Sequence, residues 1–399
     1  MPVYNLVSLL HLSSPGPNAA ASSSPFFPPS ARCSAFCLLS PHSNSNMLFP
    51  ISIFFSLLCF LALVDAAVIS TRNQEVPTSG VLGDAKHGQC KELLQRREWR
   101  TLADTEKKSY IDAVKCLMER PAQKPVFPEA QSRFDEFQAY HMYIAEKVHT
   151  VGQFLPWHRH YLRRYELALQ SECGYKGAAP YWDWAQDSDD GAGLHTSPIW
   201  DPKTGFGGDG VPGTYSLPAD ANFTANRIFP NSFVGCVKDG PFANHILRLG
   251  PGQLRTTHCL VRGLNETDKL YLNSKAVART QSQPTFEQFR IELEGEPITT
   301  DHRQHDGGHD MIGGDMSNFY SSPGEPLFYL HHANLDRIWW QWQQMLPSRL
   351  YEISGRSTTT PPFKNVTLDF ILQMDNLAPS IPIRDVMDIH SAPNCYTYV

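Results

Sequence analysis

The sixteen histidines of this chain are unevenly distributed, and their grouping could place several imidazole nitrogens around metal ions. Two dense clusters stand out: His141, His149, His158 and His160, and then His302, His305, His309, His331 and His332. A single histidine is usually an ordinary core or surface residue, but two such clusters indicate two metal sites or two halves of one. The others are interpreted as ordinary residues: His11, His42, His87, His195, His245, His258 and His390.

The spacing inside the second cluster suits metal binding by a helix. His305 and His309 are four residues apart, so on a helix their rings lie on one face, about 6 Å from each other. Gly307 and Gly308 weaken the local helix propensity. We therefore expect that close approach of another group to this helix matters more here than local stability.

Two further pairs limit which rings can converge. His331 and His332 are adjacent, about 100° apart around a helix, so only one of them is expected to face the metal. His141 and His149 are eight residues apart, which is about 80° out of register on an ideal helix. These two rings can meet only if the helix bends or ends between them.

The donor set favours copper over zinc. Imidazole-only ligation suits copper, zinc, iron or nickel, whereas catalytic zinc sites often add a carboxylate. The chain offers two sets of three histidines, with no His-Glu-x-x-His helix and no thiolate motif. Two facing sites of three imidazoles would suit a pair of copper ions that bind O2 between them. A hydrolytic zinc enzyme is the less favoured alternative.

Periodicity and helix-boundary residues predict the elements that position these histidines. Residues 186–282 are rich in Gly, Asp, Asn, Pro and Thr, and we expect long loops there. Residues 348–399 are strand-like and interrupted by proline. Helices are predicted over residues 101–119, 132–149, 156–171 (with Pro156 in the first helical position), 284–294, 301–311 and 325–345.

The bulk composition predicts a globular chain and gives no indication of nucleic-acid binding. Its 399 residues, 41% hydrophobic and 19% charged, suffice for one large domain or two ordinary ones. The net charge of −6 gives no basic footprint, so nucleic acid is not an expected partner.

The N-terminal part predicts export. Residues 1–46 are a Ser- and Pro-rich extension of uncertain status, and residues 47–66 read as a signal peptide cleaved near Ala66. Its apolar run, residues 51–64, is short for a membrane span. We expect a secreted protein with no membrane attachment after cleavage; a retained signal anchor is the alternative.

Cysteines and glycosylation sequons agree with that compartment. Six cysteines remain after residue 66, which predicts disulfides with fifteen possible pairings. Three sequons, each weak alone, begin at Asn222, Asn265 and Asn365. The six cysteines are Cys90, Cys116, Cys173, Cys236, Cys259 and Cys395.

Two motifs resemble those of the type-3 copper proteins, which include tyrosinases, catechol oxidases and, more remotely, haemocyanins. Residues 154–159, Phe-Leu-Pro-Trp-His-Arg, resemble the first copper motif. Residues 325–339, Glu-Pro-Leu-Phe-Tyr-Leu-His-His-Ala-Asn-Leu-Asp-Arg-Ile-Trp, resemble the second. Both motifs in this order are highly specific, and the likeness, closest to short secreted fungal members, runs from about Cys90 to Met345.

The resemblance implies a ligand set and a fold. The expected fold is mainly α, a four-helix bundle around a dinuclear copper site, with long loops and a few short strands. Residues 85–345 would form the catalytic domain, and residues 346–399 an extension packed on it. The first copper ion would bind His141, His149 and His158, and the second would bind His305, His309 and His332, with His331 a neighbour only.

Three other residues take roles from the resemblance. Glu294 and Asp306 are the candidate catalytic residues, because some hydroxylating relatives hold a water with a Glu and an Asn. Asp306 stands where that Asn would be, which weakens the expectation of phenol hydroxylation. Asp336 would either accept a hydrogen bond from a ligand imidazole or form a salt bridge with Arg337 or Arg159.

The implied function is oxidation of o-diphenols to o-quinones with two copper ions and O2, with monophenol hydroxylation less strongly expected. One alternative is a specialised oxidase of a phenolic metabolite or a peptide tyrosine in a biosynthetic pathway. A remote alternative is reversible O2 binding without catalysis. The expected partners are O2 and a phenolic or catecholic small molecule, and the sequence does not predict the oligomeric state.

Overall fold

The computed structural model describes residue 88 and residues 90–399, so the predicted extension and signal peptide lie outside the described residues. None of the helices found there is both long and apolar enough to span a membrane. The α-helices are α1 (Asp104–Glu119), α2 (Arg133–Val148), α3 (Phe154–Cys173), α4 (Trp184–Asp189), α5 (Lys269–Leu272), α6 (Ser274–Gln281), α7 (Phe286–Glu294), α8 (Gln304–Ile312), α9 (Leu327–Gln344) and α10 (Arg384–Met387). The strands are β1 (Leu94–Arg96), β2 (Gly210–Pro212), β3 (Gly235–Val237), β4 (Ile246–Leu247), β5 (His258–Cys259), β6 (Val261–Arg262), β7 (Ile371–Leu372), β8 (Ile381–Pro382) and β9 (Tyr396–Tyr398).

The prediction of a mainly α fold with a few short strands is confirmed, and all six predicted helices are present. Helix α3 begins at Phe154, so Pro156 is its third residue and not its first. A proline fits there because the N–H groups of the first helical turn have no partner within the helix. Residues 186–282 are mostly irregular, but the expectation of loops throughout was wrong at α6, whose first turn is capped by the side chain of Asn273.

The helices that carry the two histidine clusters pack through buried aromatic rings. Tyr165 of α3 stacks on Tyr329 of α9 with ring centroids 3.5 Å apart. Trp157 of α3 stacks on Tyr161 one turn later and lies 6.5 Å from Tyr140 of α2. Close-packed rings of this size leave little freedom for one helix to shift against another.

A buried ionic network ties α3 and α9 to both ends of the described chain. Arg159 of α3 donates from Nε to Asp336 of α9 at 2.5 Å, and both side chains are almost fully buried. The hydroxyls of Tyr396 and Tyr398 in β9 donate to the same carboxylate at 2.6 Å. Arg96 of β1 approaches it to 3.5 Å. Of the two expectations for Asp336, the salt bridge with Arg159 is therefore the one observed, and the hydrogen bond from a ligand imidazole is wrong.

The last part of the chain packs on these helices and does not form a separate sheet. Strand β9 pairs in parallel with β1, while β7 and β8 form a two-stranded hairpin-like pair. The strand-like expectation for residues 348–399 thus holds only for short pieces. The six predicted cysteines form three disulfides, Cys90–Cys395, Cys116–Cys173 and Cys236–Cys259.

A buried histidine outside the two clusters gives a pH-dependent prediction. His258 faces Asp315 through Nε2 at 3.0 Å and the carbonyl of Thr256 through Nδ1 at 3.1 Å, so both ring nitrogens act as donors. Burial alone would lower the pKa of His258, but Asp315 outweighs it and the net pKa is raised. The stability from this pair is therefore complete below the unfolded-state pKa and is lost as the pH rises through the folded-state pKa.

We expect His258→Gln to destabilise the protein more at about pH 5.5 than at about pH 9, because only the charged ring strengthens the contact with Asp315. Urea midpoints of both proteins at the two pH values measure this difference. An equal loss at both values would mean that the ring is neutral in the folded chain.

Candidate dicopper centre

The first group of three histidines comes from α2, α3 and the residue that follows α2. His141 lies within α2 and His158 within α3, while His149 is the first residue past the end of α2, with extended backbone angles of φ −117° and ψ 150°. The helix therefore ends between His141 and His149, which is one of the two conditions under which these rings could meet. One ring nitrogen from each of the three histidines lies within 4.8 Å of the others.

The second group is built from α8 and α9. His305 and His309, one turn apart on α8, meet His332 of α9, again with ring nitrogens within 4.8 Å of one another. The Nε2 atoms of His309 and His332 are 3.1 Å apart. Two such close nitrogens are typical of ligands that converge on one point.

His331 faces away from this group. Its Nδ1 accepts a hydrogen bond from the indole of Trp184 at 3.2 Å, and its Nε2 donates to the carbonyl of His305 at 3.0 Å. Both ring nitrogens are thereby occupied. The same ring explains Gly308, because a Cβ at that position would lie 2.2 Å from Cε1 of His331. This contact is the close approach to α8 that the glycines in the sequence predicted.

The two groups face each other across a narrow gap. The rings of His158 and His332 stack with centroids 4.6 Å apart, and those of His149 and His305 are 5.8 Å apart. The buried ring of Phe328 of α9 packs on His332 at 4.1 Å and also lies 5.4 Å from the ring of His141. Six imidazoles thus surround one small space that opens on one side.

Hydrogen bonds to carbonyls fix which nitrogen is available in five of the six rings. Since a carbonyl only accepts, a ring that contacts one through Nδ1 carries its proton there and leaves the Nε2 lone pair free. The Nε2 atoms of His141, His158 and His305 are buried without a hydrogen-bond partner among the described residues. The carbonyls that contact Nδ1, at 2.8 to 3.2 Å, are Tyr320 for His141, Ala145 for His149, Phe154 for His158, Glu294 for His305 and Met316 for His309.

This arrangement fits copper ions. Buried lone pairs that point into a shared space are costly unless they bind something, and the donors are all imidazole nitrogens. Burial lowers the pKa of His141 to about 3 and that of His309 to about 4, so the rings are neutral and able to bind a cation. The histidine groups therefore fit a dinuclear metal site.

A cavity of about 580 Å³ leads to the open side of this space. Four histidines line it: the ligand candidates His149, His305 and His309, together with His302. The ring of Phe319 lies 4.7 Å from that of His149, and the guanidinium of Arg227 lies 3.8 Å from the Phe319 centroid. A planar aromatic molecule could enter along this wall.

The two candidate catalytic carboxylates both line the cavity, in different surroundings. Glu294 is buried, accepts hydrogen bonds from Arg290 at 2.5 Å and from the backbone N–H of Thr150, and burial raises its pKa to about 7. Asp306 is in the first turn of α8. It accepts from the backbone N–H of Arg303 at 2.7 Å and faces Nδ1 of His302 at 2.6 Å.

The loop that holds His149 is itself held by the last part of the chain. The N–H of Gly152 donates to the carbonyl of Arg356 at 2.8 Å. The Arg356 side chain donates to the carbonyl of Thr150 at 2.9 Å, and Gln153 donates to the carbonyl of Ser357 at 3.0 Å. Arg356 and Ser357 thus hold the loop that follows α2.

Some contributors were not predictable as site residues. The carbonyls of Tyr320 and Met316 orient two rings, but every residue carries a carbonyl and the sequence gives no signal for these. Phe319 and Arg227 come from irregular segments without periodicity. The positive φ of Arg227, 49°, is a conformation that becomes visible only in the structure.

Comparison with known proteins gives the family. The family model "Tyrosinase: Common central domain of tyrosinase" matches residues 131–345, which contain all six histidines. The chain belongs to the tyrosinase family. The resemblance inferred from the two motifs is thereby confirmed, and with it the assignment of the chain to the oxidoreductases.

Individual relatives of this tyrosinase family are similar over most of the chain. The tyrosinase-like protein phomQ1 of Diaporthe leptostromiformis is 37% identical over 338 residues, covering 78% of each chain. The N-acetyl-6-hydroxytryptophan oxidase ivoB of Emericella nidulans is 32% identical over 339 residues, covering 76% of this chain and 91% of the relative. A solved polyphenol oxidase variant from Thermothelomyces thermophila has a TM-score of 0.68 at 34% identity, covering 77% of this chain and 89% of that one.

Proposed function

We propose that this tyrosinase-family protein is a secreted oxidase that uses O2 and two copper ions to convert o-diphenols to o-quinones. The observation that carries the proposal is the pair of facing histidine groups whose free Nε2 atoms share one buried space. His141, His149 and His158 would bind one ion, and His305, His309 and His332 the other. The three disulfides support an oxidising compartment.

The protein contributes orientation and exclusion of water to this reaction. When bound, the copper pair supplies the electron transfer between the diphenol and O2. The carbonyls that accept from Nδ1 keep five of the six rings, all except His332, in one tautomer and one orientation. The ring of Phe319 makes the cavity wall beside His149 apolar, so a diphenol ring can lie against it while its two hydroxyls point toward the histidine groups.

The carboxylates support diphenol oxidation over monophenol hydroxylation. Glu294 presents a fixed buried carboxylate to the cavity and stays our candidate for receiving a hydroxyl proton. One oxygen of Asp306 accepts from Arg303, and the other faces both His302 and the N–H of Glu296. Since these contacts stabilise the start of α8, Asp306 is poorly placed to orient a water together with Glu294. We therefore propose Asp306 as a positioning residue for the helix that carries His305.

A specialised substrate is the second candidate. A relative named as an oxidase of N-acetyl-6-hydroxytryptophan supports a phenolic metabolite larger than catechol, and a cavity of about 580 Å³ has room for one. Reversible O2 binding without catalysis is less well supported, because the cavity is lined at its rim by the exposed ring of Phe229 and gives a substrate a path to His149.

Metal replacement and a substrate pair test the proposal. We expect the mature chain to bind about two copper ions and to oxidise catechol much faster than the matching monophenol, measured by O2 uptake and quinone absorbance. The control is the same protein loaded with zinc, which should bind in the site but show no O2 uptake, because zinc has no redox chemistry. Activity of the zinc form would contradict the proposal, and O2 binding with neither product would favour the carrier. A faster monophenol reaction would contradict the role given to Asp306.

A further inference from the structure

We propose that Asn222 carries an N-linked glycan at the rim of the cavity, and that this glycan restricts the oxidase to small phenols by excluding peptides and proteins. The inference rests on the proposed function for its substrate readout. Its structural basis is independent of copper: it is the position of one exposed sequon beside the entrance.

The side chain of Asn222 is exposed, and its amide nitrogen is free to be modified. Its Oδ1 accepts a hydrogen bond from the N–H of Ala225 at 3.0 Å, and its carbonyl accepts from the side chain of Asn226 at 2.9 Å. These contacts fix the turn and orient the side chain. Within residues 90–399, no hydrogen bond involves its Nδ2, so a sugar on that nitrogen displaces no contact of the folded chain.

The sequon is continuous with the cavity wall. Phe223 and Thr224, the two residues after Asn222, both line the cavity that leads to His149. The rings of Phe223 and Phe229 at this rim are 38% and 62% exposed. A hydrated oligosaccharide attached one residue before this wall covers the exposed rings and narrows the approach for a large partner, while a small phenol passes beneath it.

Of the other two sequons, the one at Asn265 has its amide nitrogen engaged in a hydrogen bond, and the one at Asn365 serves as the control. The Nδ2 of Asn265 already donates to the buried carboxylate of Asp268 at 2.8 Å, so its amide is engaged in a turn. Asn365 is exposed, and its backbone forms an isolated antiparallel β-bridge with Arg356. It is not among the residues that line the cavity. A glycan on Asn365 would therefore leave the entrance open.

The modification is a group transfer from a lipid-linked oligosaccharide diphosphate, the donor available in the secretory pathway. A bond forms between Nδ2 of Asn222 and the anomeric carbon of the first sugar. The bond from that carbon to the diphosphate oxygen breaks, the lipid diphosphate leaves, and the amide loses one proton. No oxidant or reductant takes part.

The test uses the full chain secreted from a eukaryotic host, in wild-type form and as Asn222→Gln and Asn365→Gln. Enzymatic release of the glycan in heavy-oxygen water converts each occupied Asn to a mass-labelled Asp, which peptide mass spectrometry reads without reference to activity. kcat/KM is then measured with catechol and with a peptide that carries a catechol side chain.

We expect Asn222 to be occupied, and Asn222→Gln to raise kcat/KM for the peptide at least about ten-fold while leaving catechol unchanged. Asn365→Gln should change neither value. An unoccupied Asn222 in active secreted protein would overturn this inference and leave the proposed function standing, as would an unchanged peptide-to-catechol ratio in Asn222→Gln. Absence of catechol oxidation in all three proteins would overturn the proposed function, and with it the restriction on substrates.

Discussion

Truncation of His158 or His305 to alanine is expected to bring catechol oxidation to background. Each change removes one of three imidazoles from a group, and two remaining ligands hold copper weakly, so the bound metal should fall from about two ions to about one per chain. Copper content by atomic absorption and O2 uptake with catechol are the measurements. Both losses should occur together, since the reaction requires the pair.

The matched control is His160→Ala on the same helix as His158. His160 is also buried, but two residues along a helix place it about 200° around the axis from His158, and it lies beside Pro379. Its truncation leaves a void that costs about 1–3 kcal/mol of stability, and most of the activity should remain. An inactive His160→Ala together with an active His158→Ala would mean that the register of this helix is wrong.

Replacement of Asp336 by alanine is expected to have the largest effect on stability. It leaves the guanidinium of Arg159 buried without its carboxylate, and it leaves the hydroxyls of Tyr396 and Tyr398 without their acceptor. Removal of one partner from a buried ion pair costs about 3–5 kcal/mol. The midpoint of urea unfolding on copper-free protein measures the change, because bound metal would add its own stabilisation.

Tyr396→Phe is the control for this prediction. It removes one hydroxyl that donates to Asp336 and keeps the ring, so the loss should be about 1 kcal/mol. If Asp336→Ala costs no more than Tyr396→Phe, the carboxylate does not hold α3, α9 and β9 together. If Asp336→Ala cannot be secreted while Tyr396→Phe can, the order of the two effects is as expected.

Much of the site could be predicted from residue types and spacing. The four-residue interval of His305 and His309 defines one helix face, and the glycine at position 308 indicated a close neighbour, which is the ring of His331. The out-of-register spacing of His141 and His149 required a bend or an end of the helix, and the helix ends. These inferences rest on local geometry, which the sequence determines strongly.

The rest depends on contacts between distant segments. The sequence left two roles open for Asp336, since it does not reveal that two tyrosines of β9 reach the same carboxylate. Asp306 is a similar case. Its contacts with His302 and Arg303 depend on where α8 begins, and the sequence predicted that start at residue 301, whereas the helix begins at Gln304. Helix α6 was missed because the cap at Asn273 lies in a stretch whose composition is typical of loops.

His149 is a ligand candidate that lies one residue past the end of α2, and contacts with Arg356 and Ser357 hold the loop that follows it. Loading of the site and ordering of that distant segment are consequently linked equilibria, and linkage acts in both directions. Amide hydrogens near Arg356 should exchange with solvent more slowly once the site is filled. Conversely, a change that loosens this segment should weaken retention of one ion more than the other, so the C-terminal segment can report the occupancy of a centre that it does not line.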